Sequence, residues 1–274
     1  ITPTEVSYSG QVQMPLSHGT SKGTINIEKG FDVSFAADHF DFKDIQDLAQ
    51  LKIEGRGSLQ GTVSGDSHAA IFDIALDGED VWFENYGLGH FKSDLSYRSG
   101  ILKFANSNGN YKTSRYSAQL EVNLLKHQLQ VAAQSPFLDM SDLLFALSRR
   151  VQLPFKVDGT GSMSVKAWGP FAFTALNYDF KSAVFKGSIM DEPFDQARFN
   201  VHSRNGEVKS DLIKITRGEG SVTMEGVGHP DGNIRTIVRG SNLRIEDSPH
   251  VKLLGLGLAG YFDFNMDVFG YVLG

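Results

Sequence analysis

The sequence contains no cysteine, no basic excess and no long apolar run. Without cysteine the chain has no disulfide, no thiolate metal ligand and no thiol nucleophile. The net charge of −6 lacks the basic footprint of a nucleic-acid binder, so no nucleic-acid partner is expected. The longest uncharged stretch near the end, Leu253 to Phe262, is ten residues long, whereas a membrane-spanning helix needs ~20.

Sequence motifs for catalysis and metal binding are also missing. No Gly-x-Ser-x-Gly elbow, P-loop or His-Glu-x-x-His sequence occurs, and no two histidines lie within twenty residues of each other. The segment Gly255–Gly260 matches the G-x-G-x-x-G pattern of dinucleotide-binding loops, but such a loop follows a strand and opens a helix. Here we expect a capped helix before the segment and a strand after it. We therefore predict no catalytic residue, no metal site and no cofactor, and expect a protein that is not an enzyme.

Two carboxylate groupings have simpler interpretations. Asp139 and Asp142 are interpreted as a helix cap and a first-turn acid. Asp77, Glu79 and Asp80 are assigned to a turn at Gly78.

Alternation of apolar and polar residues is the main positive signal. From Tyr116 to Leu124 every even position is apolar or aromatic and every odd position is polar, which is typical of a half-buried strand. Similar stretches recur along the chain, separated by turn signals such as Asn108-Gly109 and Asn205-Gly206. Such short connections predict an antiparallel meander.

Three short amphipathic stretches are predicted to be helical: Asp41–Ala49, Asp139–Leu147 and Asp247–Leu254. The last offers Asp247 or Ser248 as its cap, Pro249 in its first turn and Gly255 after its end. Each is too short to stand alone.

A glycine-rich pattern repeats after these helices. Glu54–Leu59 matches Asp158–Met163 position for position, and Gly65 and Gly169 each follow after the same interval. A third copy begins at Gly257–Gly260. We predict one continuous repetitive segment, 1–274, with units of about one hundred residues at 1–50, 51–150, 151–254 and a partial unit at 255–274. Since the chain begins at Ile1 rather than Met, we expect it to be part of a longer protein, with any membrane anchor outside it.

This cadence of glycines and alternating strands resembles the AsmA/TamB superfamily, and TamB-like members most closely. The residues that carry the resemblance are Gly206–Ile215, Gly218–Gly226 and the inter-repeat element Phe137–Leu144. The resemblance covers essentially the whole chain, as a pattern rather than an invariant motif.

The resemblance implies a fold and a function. The fold is all-β: an elongated, mostly antiparallel sheet curled into an open apolar groove (a β-taco), with short helices between repeats. The function is movement of phospholipids between the inner and outer membranes, in the periplasm or cell envelope of a diderm bacterium. Phospholipid acyl chains are the implied ligand. TamB-like members are also implicated in the insertion of outer-membrane β-barrel proteins, which makes a barrel protein the other candidate partner.

Alternation alone does not choose between an open groove and a closed β-sandwich or barrel, because an apolar face can be covered by a second sheet, by closure or by a ligand. We expect the open groove. Its predicted lipid-contacting residues are Phe35, Phe72, Ile74, Leu76, Phe91, Leu95, Tyr116, Leu120, Val122, Leu124, Phe155, Val157, Met163, Val165, Phe199, Val201, Val222, Met224, Phe262, Phe264 and Met266.

Overall fold

A computed structural model describes residues 4–44, 46, 52–66, 69–83, 85–149, 156–170, 175–255 and 257–271. Sixteen strands form one sheet in which each strand lies beside its neighbours in sequence. The strands are β1 Glu5–Gln13, β2 His18–Asn26, β3 Gly30–Asp41, β4 Ile53–Gly65, β5 Ile71–Phe83, β6 Tyr86–Arg98, β7 Ile101–Tyr111, β8 Ser114–Asn123, β9 Gln128–Asp139, β10 Val157–Pro170, β11 Asn177–Ile189, β12 Glu192–Arg204, β13 Glu207–Arg217, β14 Gly220–Gly228, β15 Asn233–Arg244 and β16 Tyr261–Tyr271.

The sheet is antiparallel and open, as the sequence predicts. Strands β1 and β16 are its two edges, and the sheet does not close on itself. The closed sandwich or barrel is therefore not the fold. The alternating stretch that begins at Tyr116 forms β8, which confirms that prediction, although the strand stops one residue before Leu124.

The short helices lie where two of the three predictions put them. Helix α1 spans Met140–Leu147, and Asp139 Oδ1 accepts a hydrogen bond from the Ser141 amide. Helix α2 spans Pro249–Leu253 and is capped by Ser248, whose side chain accepts from the Val251 amide. A 3-10 turn at Ile245–Asp247 precedes it. Of the predicted helix at Asp41–Ala49, Asp41 ends β3, residues 43, 44 and 46 are helical, and residues 45 and 47–49 lie outside the described residues.

The glycine-rich segment that follows α2 is not a nucleotide-binding loop. The fingerprint glycines Gly255 and Gly260 have positive φ angles of 65° and 134°, and the strand β16 begins directly after them. Since α2 comes before the segment and a strand after it, the order is the reverse of a dinucleotide site.

Left-handed backbone positions recur along the chain at a fixed interval. Residues with positive φ lie 106 positions apart in five pairs: Asp80 and Lys186, Asn85 and Asp191, Ser99 and Asn205, Gly100 and Gly206, and Lys112 and Gly218. Bulges and tight turns at equivalent places give the strands β5–β8 and β11–β14 similar local geometry, although the positive φ angles of Gly89 and Asn106 have no counterpart at Asp195 and Leu212.

The glycines of the repeated strand allow close approach of the neighbouring backbone. A Cβ on Gly57 would collide with the carbonyl oxygen of Asp77, and one on Gly161 with that of Ala183. The turn predicted at Gly78 is wrong: Gly78 lies inside β5. The chain bends there through a bulge at Asp80, whose φ is 49°, rather than reversing.

The chain divides into two compact units, residues 1–129 with 144–152 and residues 130–143 with 153–274. The buried core of the first unit is small: Ala37, Phe40, Phe42 and Val81. Phe145 packs against Tyr111. Arg149 stacks on Trp82 and forms an ion pair with Glu54 at 3.1 Å.

The second unit has a similar small core of Val184, Phe194 and Ala197, against which Met140 packs. Val184 holds the position equivalent to Gly78, and Gly187 the position equivalent to Val81, by the interval of 106 residues. The first unit thus has glycine at the first of these positions and valine at the second, and the second unit has the reverse.

Candidate functional site

In the first unit, strand register brings the apolar residues onto one face. Ile74 pairs with Gly61 on β4 and with Leu95 on β6, Leu95 pairs with Phe104, and Phe104 pairs with Leu120. Paired residues in an antiparallel sheet point to the same side, so these form one cross-strand row. The predicted residues on this face are Phe35, Phe72, Ile74, Leu76, Phe91, Leu95, Tyr116, Leu120 and Val122.

Tyr116 and Leu124 differ from the rest. The Tyr116 hydroxyl donates to the Leu88 carbonyl at 2.7 Å, and burial raises its pKa. Leu124 lies in the turn after β8, where its amide donates to the Gly100 carbonyl and its side chain is 40% exposed. Leu124 is thus at the margin of the apolar face rather than within it.

The second unit has an apolar face built by the same pairings. Val165 pairs with Phe180, Phe180 pairs with Val201, and Met224 pairs with Val238. The predicted residues that share this face are Met163, Val165, Phe199, Val201, Val222, Met224, Phe262, Phe264 and Met266. Val157 pairs with Ile189, which packs on the buried core. Phe155 lies outside the described residues.

Most of this apolar surface is only half-buried. On β5 and β6 the side chains of Phe72, Ile74, Leu76, Phe91 and Leu95 are intermediate in exposure. On β16 Phe262 and Met266 remain 44% and 47% exposed. In a closed core such side chains are fully buried. Contiguous apolar surface of this kind is typical of a binding surface.

The opposite face is polar and crossed by ion pairs. Asp73 pairs with Arg98 at 2.7 Å, and Asp77 with Lys92 at 2.6 Å. The hydrogen bond from Lys92 lowers the pKa of Asp77. A depression of about 790 Å³ is lined mostly by the polar-face rows of β1 to β7, which include Lys22, Thr62 and Asp94. The intervening row contributes Phe35, Ile74 and Leu95, so its lining is mixed in polarity.

The apolar face of the second unit contains a cavity of about 580 Å³, the β11–β15 cavity. Its walls are mainly apolar and its floor is made of small residues. The hairpin tips at Gly206 and His229–Asn233 form its rim. The other lining residues are Tyr178, Ser203, Val208, Ser210, Ile213, Met224, Gly226, Val227, Gly228, Ile234 and Thr236.

One polar group in this cavity wall has no partner. The Ser210 hydroxyl oxygen is buried and makes no hydrogen bond. Burial also raises the pKa of Tyr178. A buried hydroxyl without a partner carries an energetic penalty that a ligand acceptor can relieve.

A cluster around Glu192 in the second unit has catalytic residue types but not a catalytic order. Ser248 and His250 both hydrogen-bond to Glu192 Oε1, the histidine at 2.8 Å, and Arg217 lies 3.6 Å from Oε2. In a hydrolytic triad the histidine stands between nucleophile and acid, whereas here the carboxylate stands between serine and histidine. The cluster anchors α2 to β12.

The described residues contain no group of three or more His, Cys, Asp or Glu placed to hold a metal ion. None of their helices is both long and apolar enough to cross a membrane.

Sequence reasoning missed part of the apolar face. Phe180, Ile213 and Ile215 lie on it by register, and alternation within β11 and β13 could have revealed them. It also missed the cavity, because serine and glycine at inward positions look like interruptions of a strand.

Comparison of the chain with known protein families, with curated proteins and with solved structures found no match to any of them.

Proposed function

We propose that this chain is a lipid-binding segment of a bacterial envelope protein that moves phospholipids between the inner and outer membranes. The observation that carries the proposal is the half-buried apolar face of an open sheet, described in both units. Each methylene removed from water contributes ~0.8 kcal/mol, so an acyl chain lying along several cross-strand rows gains substantial binding energy. The resemblance to the AsmA/TamB superfamily supports the same assignment and a periplasmic location.

The proposed role of the apolar residues is solvophobic contact, without catalysis or a cofactor. Lipid acyl chains lie on the apolar face while headgroups remain in water. The polar face, with ion pairs such as Asp73–Arg98, keeps the other side of the sheet solvated.

The test introduces charge on each apolar face. Val122→Asp and Phe264→Glu place a carboxylate where acyl chains bind, and we expect phospholipid to be lost from protein purified gently and examined by native mass spectrometry. Gln119→Asp and Asn265→Glu are matched controls, since these positions alternate with the apolar rows on the same strands. A folded Val122→Asp variant that retains wild-type lipid loading contradicts the proposal.

A second candidate function is assembly of outer-membrane β-barrel proteins. It is favoured by the two open edges, since every described residue of β1 is exposed and β16 carries exposed Tyr261 and Phe269. An open edge can pair with an extended strand of a partner. Co-purification of an unfolded barrel protein without lipid would favour assembly over lipid movement.

A further inference from the structure

The β11–β15 cavity exists because bulky residues of the first unit are replaced by small ones in the second. In the first unit one row reads Tyr97, Leu102, Val122 and the next reads Leu95, Phe104, Leu120. The equivalent rows of the second unit read Ser203, Val208, Gly228 and Val201, Ser210, Gly226. The register is identical, so the comparison is position by position. Four large side chains have become two serines and two glycines.

The third row along these strands has the opposite trend. Ser93, Ser107 and Ala118 of the first unit correspond to Phe199, Ile213 and Met224 of the second. The second unit therefore has small residues in two rows, where the cavity lies, and larger apolar residues in the third row beside it.

We propose that this cavity is a seat for one acyl ester lipid. The inference deepens the proposed function and rests on it. The acyl chain lies against Ile213, Met224 and Ile234, and the ester carbonyl accepts a hydrogen bond from Ser210. The volume of about 580 Å³ falls within the ~300–1,000 Å³ typical of ligand pockets.

The unpartnered hydroxyl distinguishes this seat from the remaining apolar surface. The Ser210 oxygen is buried at the position where the first unit carries Phe104. A side-chain rotation that turns the hydroxyl toward the cavity satisfies it where that space holds a hydrogen-bond partner, either water or the carbonyl oxygen of a ligand. A hydrocarbon without a carbonyl fills the same volume but leaves the hydroxyl unpaired.

The experiment fills the cavity without disturbing the strand. A Cβ on Gly228 would meet only the Ile234 Cγ2 atom at 3.7 Å and the Val208 oxygen at 4.0 Å, so Gly228→Leu fits. Gln119→Leu is the control, because it adds the same side chain at an exposed position of β8 that alternates with the apolar row. The probe is a palmitoyl glycerol ester with a diazirine in its acyl chain, and the readout is the photo-crosslinked peptide found by mass spectrometry.

We expect the probe to crosslink mainly to peptides of β13–β15. Gly228→Leu should lower that capture about tenfold, whereas Gln119→Leu should leave it unchanged. Circular dichroism and thermal unfolding establish that both variants are folded. Equal capture by both units, unaffected by Gly228→Leu, overturns the seat but leaves acyl-chain binding standing. No capture anywhere overturns both.

A second comparison tests the ester contact. Ser210→Ala should weaken capture of the ester probe about tenfold and leave capture of a hexadecane diazirine unchanged. An equal response of the two probes overturns recognition of the carbonyl by Ser210.

Discussion

The size of single side chains determines whether equivalent positions of the two units are filled or left as a cavity. The exchange of Gly78 and Val81 for Val184 and Gly187 keeps each small core filled, while the replacement of Phe104 by Ser210 empties a site. Because serine and glycine carry no hydrophobic signal, the sequence predicts the filled face and is silent about the cavity.

At the residue scale, Ser210→Ala should stabilise the ligand-free protein by about 1 kcal/mol, because it removes a buried hydroxyl that has no partner. Ser182→Ala is the matched control: its hydroxyl donates to the Ser162 carbonyl at 2.9 Å, so its loss should destabilise by about 1 kcal/mol. Chemical denaturation measures both. Equal destabilisation by the two variants would show that the Ser210 hydroxyl is already satisfied.

The exchanged pair gives a second prediction at this scale. A Cβ on Gly78 would lie 2.7 Å from Val81 Cγ2 and 3.0 Å from Phe42 Cε2, so Gly78→Val should overpack the core and destabilise by ~1–3 kcal/mol. Adding Val81→Gly reproduces the arrangement of the second unit and should restore part of the loss. A double-mutant cycle with strictly additive effects would contradict this coupling.

At the scale of strands and helices, the sequence predicts the features that depend on local signals. Alternation predicts β8, and capping residues predict α1 and α2, because both signals are local. Register and bulges depend on pairing between strands, so the sequence misplaces a turn at Gly78 and misses the inward face of β13. The lipid contacts of the predicted residues stay a prediction.

The attachment of α2 should depend on pH. Burial acts to raise the pKa of Glu192, but hydrogen bonds from Ser248 and His250 outweigh it and lower the pKa. A carboxylate with a lowered folded-state pKa stabilises the fold above its unfolded value of ~4.3, and that contribution is lost as the pH falls through the folded value.

We therefore expect the thermal unfolding midpoint to fall on acidification from pH 5 to about pH 3, and to fall less in Glu192→Gln. Asp191→Asn is a neighbouring control, because Asp191 is exposed and its ion pair with Lys156, at 3.7 Å, is long. Identical acid profiles for wild type and Glu192→Gln would mean that other carboxylates set the transition.

At the scale of the whole molecule, the sheet has sixteen strands and two edges. Edge strands bond to a neighbour on one side only, so their amides open most easily. Hydrogen exchange followed by mass spectrometry should show β1 and β16 exchanging ahead of β5 and β11. Slow exchange in β16 would indicate that its open edge is covered, for instance by pairing with a second copy.

The matching geometry of β5–β8 and β11–β14 also has a consequence for folding. Strands with similar register and bulges can pair with the wrong neighbour during folding. If β14 took the place of β8, Gly226 and Gly228 would stand beside Phe104 and Leu102, and voids would replace the side chains of Leu120 and Val122. The difference in side-chain size between the units thus disfavours pairing with the wrong strand. A variant in which the two units have side chains of equal size should refold more slowly and aggregate more.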